Sequence, residues 1–248
     1  MLLRDRDGTR FAIGQGSHAW ISGQLARAWG NGQFPAPEPF EEVCLAAEQH
    51  DIGWAGWDVR PSLNPDTRLP YTFMELPLSE HIEMWSGAPA HLLAQSRYAA
   101  LLVSMHGTTL QTRRDLDKLE PADRALVKCY LKEQRELQDK LIGLLGADRD
   151  ELDRNRRLIW AWDGISLALC LGWQTLMNDV PGATGSVELS LRMTGADLFA
   201  LHPWPFAADR LDLRCEGREL AGAFDDEQAM REALDRAPSK CLSFTLTT

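Results

Sequence analysis

The chain has 248 residues, 44% hydrophobic and 25% charged, with 36 acidic against 26 basic side chains for a net charge of −10. That length can bury a full hydrophobic core, and the composition is that of an ordinary folded protein, which excludes a disordered chain. The acidic excess disfavours loose binding to nucleic acid or to anionic membranes, both of which need surplus Lys and Arg, so a small-molecule substrate is the expected partner.

Charges interrupt the opening MLLRDRDGTR at once, so no signal peptide is read there, and no run of about 18 apolar residues follows that would span a membrane. A cytoplasmic protein is expected. Cys44, Cys129, Cys170, Cys215 and Cys241 are odd in number and widely spaced, and read as reduced, mostly buried side chains.

In chain order, Leu2 and Leu3 and then Phe11 to Ile13 flank the turn-forming Asp7-Gly8 pair and predict a hairpin over the first 16 residues. Ser17 reads as the cap of a helix from His18 to Trp29, ended by Gly30-Asn31-Gly32. After a Pro-rich connector, Val43, Cys44, Ala47 and His50 share one face of a second helix, which delivers His50-Asp51. Ile52 to Pro77 reads as a long ordered loop. Helices follow over Ser79–Trp85, over His91–His106 with His106-Gly107 as its end, and over Glu120–Leu145. Asn155 to Met177 is apolar on every side and predicts a central helix containing Asp163. Beyond about Pro181, alternation predicts strands at Val187–Met193, Leu211–Cys215 and Cys241–Leu246, with a short helix at Glu227–Arg236.

His50-Asp51 places an imidazole and a carboxylate side by side, a pair able to bind divalent cations. Asp163 adds a carboxylate inside an apolar helix, where it requires a cation, a hydrogen-bond network or a proton. His18 stands one helix earlier.

The order His, His-Asp and a distant Asp resembles the HD-domain metalloprotein superfamily, through SHAWISGQLARAW, EEVCLAAEQHDIGW and NRRLIWAWDGISLAL. The segments HDIGWAGWD, LLVSMHG and WDGISLALC resemble more closely an uncharacterised bacterial HD-like family. The resemblance implies that His18, His50, Asp51 and Asp163 ligate metal, and that His81 and His106 complete a second position. His81 is preferred to His91 because the longer gap to His106 leaves room for two helices. The implied fold class is mainly α: an HD-domain-like bundle over residues 1–180, with a small sheet formed by a C-terminal subdomain, 181–248, which the N-terminal hairpin could join.

The expected function is metal-dependent hydrolysis of a small phosphorylated or similar polar substrate. Asp51 and His50 would be catalytic, around water activated by one or two divalent ions (Mn, Mg, Fe, Co or Zn). Trp54, Trp57 and Asp58 would shape the substrate pocket. Where many hydrolytic HD proteins carry a Lys that could hold phosphate, this chain has Trp54; Arg60, Arg68, Arg97, Arg156 or Arg157 are the candidate replacements. The alternatives are a di-iron oxygenase of a small organic substrate and a non-catalytic metal- or ligand-binding protein. The oligomeric state stays open, with a homodimer as one option.

Overall fold

In a computed structural model, which describes residues 1–248, the chain begins with the expected hairpin. Strands β1 (Leu2–Arg6) and β2 (Thr9–Ile13) pair antiparallel. Asp7 and Gly8 both take positive φ, 51° and 78°, as a two-residue turn between twisted strands requires. Helix α1 (Gln15–Ala28) follows. Ser17 lies inside its first turn instead of capping it, and the cap comes from far along the chain, where the Asp58 carboxylate accepts the Gln15 backbone N–H. Helix α2 (Phe40–Glu48) then places His50-Asp51 in the turn just past its end.

The expected loop from Ile52 to Pro77 holds more structure than its Pro and Gly content suggested. It contains a 3-10 turn (Ile52–Trp54), the short helix α3 (Ala55–Val59) and the paired strands β3 (Leu63–Asn64) and β4 (Leu69–Pro70). Gly53 is where this segment meets α4 (Leu78–Gly87), and a Cβ there would overlap the Met84 carbonyl oxygen. Only glycine lets α4 pack this closely on the turn carrying His50 and Asp51. Gly53→Ala is therefore expected to lose about 1–3 kcal/mol through overpacking, read as a lower urea midpoint at unchanged m. A wild-type midpoint would show that the contact relaxes freely.

Helix α5 runs from its Ser96 cap through Arg97–Thr112 and does not end at His106. Gly107, read as a stop signal, is internal, and the Tyr130 hydroxyl and the Trp85 ring occupy the space a side chain would take there. The amphipathic α6 (Pro121–Leu145) matches its expected span closely. The apolar helix α7 (Arg149–Leu171) starts earlier and stops sooner than expected. Asp148 caps its start, and Gly172, left-handed at φ 68°, ends it.

The residues past Gly172 turn into a sheet. Strands β5 (Thr175–Gly182), β6 (Gly185–Gly195), β7 (Leu198–His202) and β8 (Arg210–Leu220) are followed by helix α8 (Glu227–Arg236) and β9 (Ser239–Thr247). The seven-stranded order is β1-β2-β8-β9-β7-β6-β5, antiparallel throughout except between β7 and β9. The mainly α expectation, an all-α, HD-domain-like bundle with a small sheet, is therefore wrong. Helix takes 49% and strand 24% of the residues, the strands curl into a half-barrel, and the fold is α/β. Two features hid the sheet. β5 continues the apolar run of α7, and β7, with the sequence LFALH, lacks polar alternation.

Helix α1 packs on β8, and α7 packs on β1 and β5. Helices α2 and α5 lie behind them, with α4 and α6 outside. One continuous core joins Leu25, Ile159 and Trp162 of the helices to Phe199, Leu213 and Phe244 of the sheet. No helix is long and apolar enough to cross a membrane. All five cysteines are free, with Cys44, Cys170 and Cys215 buried.

Candidate metal centre

Four elements converge on one buried point behind the sheet. Helix α1 brings His18, the turn after α2 brings His50 and Asp51, α5 brings His106, and α7 brings Asp163; all five side chains are buried. Their atoms surround a common centre. His18 Nε2 is 2.6 Å from Asp51 Oδ2, and His50 Nε2 is 3.6 Å from Asp51 Oδ2 and 3.4 Å from Asp163 Oδ1. His106 Nε2 is 3.6 Å from Asp163 Oδ2, and His18 Nδ1 is 3.9 Å from Asp163 Oδ1. Donor atoms sharing one divalent ion, at bonds of about 2.0–2.2 Å, stand about 3.0–3.5 Å apart. The separations of His50 and His106 from the carboxylates, 3.4–3.6 Å, lie in or close to that range, the 2.6 Å between His18 and Asp51 is that of a hydrogen bond, and the donor atoms of His18, His50 and Asp163 all lie within 4.8 Å of one another.

The hydrogen bonds around the centre orient its imidazoles. His50 Nδ1–H donates to the Ala47 carbonyl at 2.8 Å, so in the neutral ring Nε2 carries the lone pair, and this nitrogen is buried without a hydrogen bond. A lone pair facing two carboxylates is stable only with a proton or a cation between them. The Ser166 hydroxyl donates to the Asp163 carbonyl at 2.8 Å, which leaves its oxygen to accept from His18 Nδ1 at 2.9 Å and from Ser22 at 3.1 Å. Such outer hydrogen bonds on Nδ1 are the usual means of presenting Nε2 to a metal.

The electrostatics follow the same geometry. Burial presses the His50 imidazolium down, but the charges of Asp51 and Asp163 outweigh it and hold His50 at about 9. Burial works in the opposite sense at Asp163, where His50 and the other two imidazoles prevail and lower the carboxyl to about 2. His106 falls to about 4, through burial and then the neighbouring His50 charge. The cluster thus holds two carboxylates, a hydrogen bond between His18 Nε2 and Asp51, a proton on His50 that a cation can replace, and His106 as a neutral donor.

One side of the cluster is open. His18, Asp51, His106 and Asp163 form part of the wall of a cavity of about 410 Å³, closed elsewhere by apolar side chains such as Phe73, Leu76 and Trp85. Trp54 lines it, and its indole N–H is buried without a partner. Gln15 also lines it, and its Oε1 is likewise buried without a partner. His81 lines the cavity too, edge-on to Trp54 at 5.0 Å between ring centroids, and is lowered to about 4 by burial and the Arg114 charge. It stays outside the tight donor group. His91 and His202 are exposed.

Trp57 and Asp58 do not reach this cavity. Trp57 packs into a separate apolar cluster with Leu220 and Met230, and Asp58 caps α1 and so fixes the helix that carries His18. None of the arginines considered as a replacement cation lines the cavity. Arg68 pairs with Asp225, Arg156 with Asp153, and Arg157 bonds Ser186, while Arg60 and Arg97 are exposed. The cations that do line it are Arg113 and Arg114, with Gln111 beside them. Sequence reasoning missed all three by ending α5 at His106. The signal was the spacing, since seven and eight residues past His106 return to its side of a helix.

Fold and centre together define an α/β protein with a buried three-His, two-Asp cluster opening on a cavity. The profile of the family described as protein of unknown function (DUF3891) matches residues 1–222, and the chain belongs to that family. The HD-domain resemblance is thereby corrected: the motif order was similar, but the family match and the seven-stranded sheet assign the chain elsewhere. Comparison with curated proteins and with solved structures gives no match.

Proposed function

We propose that the protein is a metal-dependent hydrolase acting on a small polar substrate in this cavity. The observation that carries the reading is the open side of the cluster. A structural metal site is closed by protein ligands, whereas a catalytic one keeps a position facing substrate. His18, His50, His106, Asp51 and Asp163 would hold a divalent cation, which would supply Lewis-acid chemistry and lower the pKa of bound water towards neutrality.

The chain's own residues support hydrolysis over covalent catalysis. The cavity wall has no Ser, Thr, Cys, Tyr or Lys, so no hydroxyl, thiol or amine nucleophile faces it and water is left as the attacking group. Asp51, on the wall and against His18, is the base that orients this water, and His50 holds its position through Ala47. Apolar walls exclude bulk water, which strengthens polar contacts made inside the cavity.

The test combines elemental analysis of anaerobically purified protein with assays on chromogenic phosphate and carboxylate esters in Mn, Mg, Co or Zn. Metal-dependent ester cleavage that falls at least 100-fold in Asp51→Asn is the expected result. Iron with substrate-dependent oxygen uptake would replace hydrolysis by oxygenation, and a protein that takes up no metal would end the reading.

A further inference from the structure

Arg113 and Arg114 stand at the outer end of the cavity, just past the last residue of α5. Arg113 returns to the face of the helix that carries His106, about 10 Å farther along its axis at 1.5 Å per residue. Neither guanidinium is paired with a carboxylate. Arg113 lies over the Trp160 ring, 4.1 Å from its centroid. Arg114 uses only Nε, which donates to the buried Gln111 Oε1 at 2.7 Å and leaves both Nη groups free. The two heads are therefore held from behind, and their hydrogen-bonding edges are available.

Asp51 and Asp163 bring two negative charges to the cavity, and one divalent cation cancels them. Arg113 and Arg114 are exposed at the end of α5 and have no carboxylate partner, so two further positive charges face the mouth of the cavity in a protein whose net charge is −10. Leu110, Phe73 and Trp85 give the cavity apolar wall beside His81, which suits the carbon body of an organic molecule.

We infer that Arg113 and Arg114 form a distal anion subsite, which takes a phosphate or carboxylate at the non-reacting end of the substrate while the bond to be cleaved lies at the His/Asp cluster. Planar guanidinium forks match both anions through paired N–H donors. The substrate class is then a small anionic organic molecule whose charged end lies about two helical turns from the labile bond. This inference rests on the reading of the cavity as the substrate site.

Titration calorimetry with inorganic phosphate and, separately, with acetate tests it on wild type and on an Arg113→Gln/Arg114→Gln double variant, each in chelator-treated and Mn-loaded form. The expected result is at least a tenfold loss of anion affinity in the double variant in both forms, with Mn uptake unchanged. Arg114→Gln alone keeps the Arg113–Trp160 contact and is expected to lose at least threefold. Whichever of phosphate and acetate binds wild type more tightly identifies the anion. Equal affinities in wild type and variant, or no binding of either anion to wild type, would overturn the subsite. The metal reading fails separately, if wild type takes up no Mn while the affinity difference between the chelator-treated proteins persists.

Discussion

Asp163→Asn is expected to lower divalent-metal affinity at least 100-fold, about 2.7 kcal/mol, while leaving the fold in place. The carboxylate is the hub of the cluster, 3.4 Å from His50, 3.6 Å from His106 and 3.9 Å from His18. Asn keeps the size and loses the charge. Loss of a residue that merely orients a ligand typically costs 10–100-fold in affinity, and loss of the ligand itself costs more. The change also removes one of the two charges that hold His50 near 9, so the imidazole gives up its proton more readily and the metal-free variant is less stable. Calorimetric metal titration with elemental analysis is the check. A variant that binds with wild-type stoichiometry and affinity would remove Asp163 from the ligand set.

The second large effect is a peaked dependence of stability on pH in the metal-free protein. His81 and His106 are buried as neutral imidazoles, each lowered from 6.5 to about 4, mainly by burial, with Arg114 adding at His81 and His50 at His106. Groups that must charge on unfolding lose their contribution as pH falls below 6.5, and the loss is complete near 4. Each shift corresponds to a loss on the order of 3 kcal/mol, and two of them are comparable with the whole stability of a domain. His50 works in the other direction. Raised to about 9, it contributes fully below 6.5, and that contribution disappears as pH rises through 9.

Urea midpoints of the chelator-treated protein are therefore expected to peak near pH 6.5 and to fall towards both 4.5 and 9. With a cation bound, His50 no longer needs its proton and the alkaline arm should vanish. A midpoint that stays flat between pH 6.5 and 4.5 would mean that His81 and His106 are not held as buried neutral rings.

Much of the candidate centre was legible because its residues break local rules. Asp163 is a carboxylate in a helix with a buried apolar face, and His50-Asp51 sets an imidazole beside a carboxylate at a helix end, so each posed a solvation problem that a shared cation would answer. Trp57 and Asp58 misled for the opposite reason. Their neighbourhood in sequence is that of the ligands, but α3 turns them towards the end of α1 and a separate cluster, away from the cavity. The resemblance to HD proteins had a related origin: an order of His and Asp constrains which residues can meet a metal and says little about what packs around them.

By itself the sequence determined the local elements and the chemical oddities. The Asp7-Gly8 turn, the amphipathic α6, the short α8 and the buried Asp163 all follow from spacing, turn chemistry and burial within a few residues. Only the tertiary structure decided the fold class and the outer half of the site. β2 pairs with β8 about two hundred residues away, and β7 runs parallel to β9 across a helix. Such pairings leave no local period to read, because their hydrogen bonds join backbones whatever the side chains. The arginine pair entered the cavity because α5, with Trp85 and Tyr130 packed over Gly107, runs two turns beyond the point where its sequence signalled a stop.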